Sequence, residues 1–189
     1  SKPSDNSNTQ DVPSNPDSPS NPDSPSSPLD PSNPGDSNTS DTNEPNGIVN
    51  GHIYVDLGLS VKWAITNVGA DAPEGYGDYF TWGETSPKDS YTYNNYIWNT
   101  QNKYKNKSYI ELEDDAARSI WGELWRIPLK EELEELVEEC TWTWTTLNNV
   151  NGYEVQGPNG NTIFLPAAGM NYSAEPVDIG ERAIYRSNY

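Results

Sequence analysis

The stretch "WRIPLKEELEELVEECTWTWTT", residues 125–146, gathers residue types that readily do chemistry: six glutamates, the chain's one cysteine, and tryptophans two positions apart. Glu131, Glu132, Glu134, Glu135, Glu138 and Glu139 offer carboxylate pairs, the raw material of general acid–base catalysis. Such pairs work only in a cleft that drives their pKa values apart. Cys140 offers a nucleophile, which needs a base to become thiolate. The single histidine, His52, is remote in sequence, so neither a Cys/His zinc cluster nor a Ser/His/Asp set is credible. Trp142 and Trp144 suit an aromatic core ridge beneath a sheet, with stacking of their flat faces against sugar as the alternative.

The elements that carry these residues decide between the readings. Leu133, Leu136, Val137 and Cys140 fall at i, i+3, i+4 and i+7, one apolar stripe along an amphipathic helix. Burying its three aliphatic side chains is worth about 1.5–3 kcal/mol each before entropy is counted. The glutamates then form a solvated face, offering neither a cleft nor separated pKa values, and Cys140 is a small core residue. Trp142 and Trp144 lie on one side of the following strand, with Thr141, Thr143 and Thr145 on the other.

Elsewhere the pattern predicts short strands at Ile53–Val55 and Val61–Ala64, broken at Asp56–Gly58. Residues 85–110 have no steady period and read as a long polar loop. "EDDAARSIWG" is a short helix with Asp114 and Asp115 at its start and Gly122 at its end. Further strands follow at Tyr153–Gln156 and Thr162–Leu165, around a Pro-Asn-Gly turn at 158–160.

Composition divides the 189 residues in two. Residues 1–47 hold ten of the sixteen prolines, no aromatic residue, and one lysine against eight acids. Within them, residues 13–36 repeat every six as "PSNPDS", "PSNPDS", "PSSPLD" and "PSNPGD", which favours solvated polyproline II over a packed fold. This predicts a disordered, semi-rigid stalk reaching about 75 Å over the repeat. Residues 48–189 carry all the aromatic residues and suit one domain. The net charge of −18 argues against nucleic acid and anionic membrane surfaces as partners. No apolar run approaches the roughly 18–20 residues of a bilayer span.

Together "VDLGLSVKWA", "NVGA", "YGDYFTWGET", "DDAA", "WG..WRIP", "CTWTWTT", "NGYEVQGPNGNTIFLPAAG" and "YRSN" resemble the Fibrobacter succinogenes major paralogous domain, a family of surface proteins of gut Bacteroidetes. The resemblance covers about residues 52–189 in order. "WRIPLKEELEEL" is also similar to a segment of formylglycine-generating enzymes, which share the C-type lectin-like fold. The implied architecture is α+β, C-type lectin-like: two short helices on a twisted, mostly antiparallel sheet with long irregular loops. The chain departs from the family at three points. Leu129 replaces a Thr or Ser helix N-cap, a loss of about 1 kcal/mol. Arg186 stands at a normally aromatic position. The family also runs some 35 residues past the position of Tyr189, so an open sheet edge is expected that a partner's strand could complete.

The resemblance, together with the stalk, implies a non-enzymatic binding module at the cell surface, tethered to the outer membrane; a lipid anchor preceding Ser1 is left open. Its expected ligands are glycans, and the alternative is an adhesive or pilus-type subunit that binds a protein partner at the open edge. The loops expected to bind are 91–98, with Tyr91, Tyr93, Tyr96 and Trp98, and 170–182, with Asn171, Tyr172, Asp178 and Arg182; the same tyrosines could instead cover a small core. The formylglycine generators' activity is not expected, because their chemistry needs late cysteines and none follows Cys140. The triplet Glu44, Pro45 and Asn46 matches the calcium- and mannose-binding motif of C-type lectins, but lies ahead of the first expected strand. No cofactor is expected. Calcium is left open, since the acidic chain attracts cations but shows no spaced run of oxygen ligands.

Overall fold

The computed structural model describes residues 46–101 and 108–189. The stalk expected over 1–47 therefore lies outside the described residues, apart from Asn46 and Gly47. The described chain is α+β, with helices and wholly antiparallel sheets. No helix among these residues is long and apolar enough to cross a membrane.

Three strands form the first sheet in the order β1 (Asn46–Val49), β2 (His52–Val55), β3 (Trp63–Ala64). β1 was not expected, and it begins two residues before the boundary read from composition. Its cause is the Asn50–Gly51 turn, where both residues take positive φ, 51° and 83°, so that a two-residue hairpin can form. Asn46, ahead of any expected strand in the sequence reading, is thus in β1, and its Oδ1 accepts from the Asp56 N–H at 3.1 Å. β3 is shorter than expected because only Trp63 and Ala64 pair with β2.

The polar segment after β3 is not all loop: it contains α1 (Ile97–Gln101), preceded by a single 3-10 turn at Tyr93–Asn95. The buried Glu84 carboxylate accepts from the Ile97 N–H at 2.8 Å, supplying a helix start that the segment's own sequence lacks. Lys88 pairs with the same carboxylate and donates to the Asn95 carbonyl at 2.6 Å.

α2 (Ala116–Trp121) starts and stops where the sequence predicts. Asp115 is its N-cap: one carboxylate oxygen accepts from the Arg118 N–H and the other from the Ile127 N–H, both at 2.9 Å. Gly122 ends it at φ 96°.

α3 (Lys130–Glu139) runs into β4 (Thr141–Leu147), which pairs with β5 (Val150–Gln156), which in turn pairs with β6 (Thr162–Pro166). Asn148 and Asn149 make the β4–β5 turn with φ of 49° and 68°. Two short strands, β7 (Met170–Asn171) and β8 (Pro176–Val177), form a separate ribbon.

Two apolar clusters organise the packing. Leu57, Leu136, Val155 and Ile163 form one; Tyr54, Trp121 and Trp125 form the other. Leu57 is fully buried although the sequence places it in a strand break. The amides of Asn159 and Asn161 both donate to the Asp56 carbonyl, at 2.9 and 2.8 Å, and hold that break against the β5–β6 turn.

Two expectations for α3 need correction. Val137 is 61% exposed, so the apolar stripe does not include it. Glu132 is buried instead of solvated, because Arg126 reaches it from the preceding loop. Glu135 is not idle either; it accepts from the Ser60 N–H at 2.9 Å and the Ser60 hydroxyl at 2.5 Å.

Candidate functional site

Aromatic side chains from three separate stretches of the chain meet around one cleft of about 720 Å³. Tyr54 and Trp63 reach it from the first sheet, Trp121 and Trp125 from α2 and the turn after it, and Trp142 and Tyr153 from the second sheet. The cleft lies between the two apolar clusters, and members of both line it.

Its far wall is rigidly built. His52 stacks on Trp121 at 4.2 Å, and Trp121 meets Trp125 edge-on at 5.1 Å. Asn50 donates its amide to the Trp121 carbonyl at 2.9 Å, and the Trp125 indole donates to the Val49 carbonyl at 3.0 Å. The β1–β2 turn is thereby clamped to the end of α2. Burial lowers the pKa of His52, favouring the neutral imidazole.

The near wall is the second sheet. Trp142 and Trp144 do lie on one side, as the alternation predicts, with Tyr153 edge-on to both at 5.5 and 4.8 Å. Trp142 packs in the core and donates its indole N–H to the Leu136 carbonyl at 3.1 Å. Trp144 is 44% exposed. The pair thus splits between core and surface and is not one buried ridge.

Charge at the cleft contrasts with the chain's net −18. Lys62, Arg126 and Arg186 line it, against one acid, Glu132. Glu132 is committed, accepting from Arg126 through both oxygens and from the Leu129 N–H at 2.7 Å. Lys62 sits 4.8 Å above the Tyr54 ring. Trp63 adds an unusual feature: its indole nitrogen is buried and has no acceptor among the described residues. A buried donor left unpaired costs about 1–3 kcal/mol.

The two loops expected to bind ligand are joined at one point, where the Tyr91 N–H donates to the Ser173 carbonyl at 2.9 Å. Most of their named side chains, however, build the loops. Tyr91 is buried, its hydroxyl donating to the Tyr79 carbonyl and accepting from the Lys88 N–H, so its expected place at a ligand surface is corrected. Tyr96 is half-buried. Asn171 accepts from the Ser173 N–H at 3.1 Å and shapes a turn. Asp178, at φ 58°, pairs with Arg182 at 3.2 Å. Tyr93 and Tyr172 are open to solvent, 79% and 65% exposed. Trp98 belongs to α1, and its side chain lies outside the described residues.

Cys140 shows no activation. Burial pushes its thiol pKa up, and Glu135 and Glu139 push it further, so the group is a thiol at neutral pH. Among the described residues no group of three or more His, Cys, Asp or Glu side chains is placed to hold a metal ion. Glu44 and Pro45 of the lectin-like triplet lie outside the described residues.

Compared with protein-family models, with curated proteins and with solved structures, the chain matches none.

Proposed function

We propose that this chain is a non-enzymatic binding module of C-type lectin-like architecture, displayed at a cell surface, and that its cleft takes an extended polypeptide strand. The observation that carries this reading is Trp63. It sits in β3, the outer strand of its sheet among the described residues, lines the aromatic cleft, and keeps a buried indole N–H with no acceptor among the described residues. A strand laid along β3 brings backbone carbonyls to that edge and alternate apolar side chains to the cleft, which is how β-addition gains both affinity and selectivity. Lys62, Arg126 and Arg186 favour a strand bearing acidic residues at its margins.

Tyr93 and Tyr172 favour a second reading. Their exposure on adjoining loops suits stacking against a glycan, with the cleft as mere architecture.

One experiment separates the two. Panning random octapeptides displayed on phage against the intact chain is expected to converge on alternating apolar sequences. Synthetic forms of these should shift tryptophan emission and bind less tightly to Trp63→Phe. No convergence, together with oligosaccharide binding lost in Tyr93→Ala and Tyr172→Ala, would overturn the strand reading in favour of the glycan one.

A further inference from the structure

β4 is an edge strand whose first five residues read the same in both directions. From 141 to 145 it runs Thr-Trp-Thr-Trp-Thr, so Thr143 is the centre of a palindrome. β4 has a strand neighbour on the β5 side only among the described residues. It carries none of the usual protections of such an edge: no charge, no proline and no lysine between Thr141 and Leu147. Trp144 and Thr143 are exposed along it.

The hydrogen-bonding phase of this edge follows from the turn. Leu147 and Val150 close a two-residue hairpin, so they form a hydrogen-bonded pair, and the pattern alternates from there. Thr145, Thr143 and Thr141 therefore spend their backbone groups on β5. Trp142, Trp144 and Thr146 point theirs away from it, toward open space. An antiparallel copy of β4 centred on Thr143 would place Trp142 opposite the copy's Trp144, both with outward backbone groups. That is the correct phase for paired hydrogen bonds. Thr143 would face itself across a non-hydrogen-bonded position, with Cα atoms about 4.5 Å apart.

We propose that β4 is a homodimer seam: two copies pair through it about a two-fold axis at Thr143, giving one continuous six-stranded sheet. The palindrome selects a second copy as occupant, because a two-fold seam must be self-complementary and this one is. It joins Trp to Trp on one face and Thr to Thr on the other, both favourable cross-strand pairs. α3 packs on a face of this sheet, with Leu136 in one buried cluster with Val155 and Ile163 of β5 and β6. The seam is also uncharged in a chain of net −18, where two copies otherwise repel.

Sedimentation of the intact chain tests this. A discrete dimer is expected, tightening as salt rises from about 0.02 to about 0.5 M and screens the repulsion. Thr143→Lys should weaken it at least about tenfold by facing two lysines across the axis. That substitution makes the chain less negative, so simple charge repulsion predicts the opposite. Thr143→Cys in a Cys140→Ala background should air-oxidise to a covalent dimer and nothing larger, which decides the matter even if Thr143→Lys folds poorly. A monomer at high salt, assemblies beyond the dimer, or indifference to Thr143→Lys with no cross-link at position 143 would overturn the proposal.

Discussion

Arg126 and Glu132 meet in a two-pronged ion pair, with Nη1 2.7 Å from Oε2 and Nη2 2.5 Å from Oε1. The pair ties the loop after α2 to the first turn of α3, beside the cleft. The same carboxylate accepts from the Leu129 N–H, one of the donors that a helix start leaves unpaired. A single side chain thus joins two elements and begins one of them.

Arg126 holds the Glu132 carboxyl below the usual glutamate range. A depressed folded pKa gives stability that is present above the unfolded value near pH 4.3 and lost as pH falls through the folded one. Acid unfolding should therefore include a contribution from Glu132. Glu132→Gln is expected to cost about 1–3 kcal/mol at neutral pH, toward the lower end because Arg126 is one-third exposed. It should also flatten the acid limb of a plot of melting temperature against pH. An acid limb identical to that of the parent chain would refute this.

Leu129 occupies the N-cap of α3 with cap-like backbone angles, φ −69° and ψ 162°, but no side-chain oxygen. Its side chain is 38% exposed, so replacing it gives up part of its apolar burial, which the new cap must outweigh. Leu129→Ser should stabilise the chain by about 1 kcal/mol. For a domain of this size that is a rise of roughly 3 °C in Tm, read by tryptophan fluorescence.

Gly157 lies directly against the break that buries Leu57. A β-carbon there would overlap the Leu57 carbonyl and stand 2.7 Å from the Leu57 β-carbon. Gly157→Ala is expected to cost about 1–3 kcal/mol by overpacking, measured by urea unfolding. A neutral result would mean that residues 56–59 do not pack on the β5–β6 turn.

Tyr185 hides its hydroxyl while leaving part of its ring in view. The hydroxyl donates to the Pro166 carbonyl and accepts from the Asn67 amide, each at 3.1 Å. Burial pushes its pKa up to about 12. A raised folded pKa gives stability that is full below the unfolded value near pH 10 and lost as pH climbs toward the folded one. Ultraviolet titration should show a late-ionising tyrosine that disappears in Tyr185→Phe. The same substitution should cost about 1 kcal/mol at neutral pH.

Local periodicity made some of this legible. Leu133 and Leu136 place α3, the Trp142/Trp144 alternation places β4, and Asp115 and Gly122 bracket α2, because each signal acts within a few residues. Leu57 was not legible, since the asparagines that fix it, Asn159 and Asn161, lie about a hundred residues away. Nor was the burial of Glu132, which depends on an arginine in an irregular segment. The exposed tyrosines expected at a ligand surface divided because Tyr91 finds the Tyr79 carbonyl, a partner with no regular spacing. The cleft escaped for a related reason: Trp63, Trp121, Trp125 and Trp142 belong to different elements, and only the fold makes them neighbours. Asn50–Gly51 did carry a readable hairpin signal, and it would have placed β1.

The clamp between the β1–β2 turn and the end of α2 also has a consequence for how the chain is made. Asn50 must wait for Trp121, 71 positions later, and Val49 for Trp125, 76 positions later. At a synthesis rate of about 5–20 residues per second, that is a delay of roughly 4–15 s. For that interval the first hairpin is outside the ribosome without the indoles that hold it. A two-stranded hairpin alone is marginal in water, so the nascent N-terminal sheet forms lastingly only once α2 has emerged.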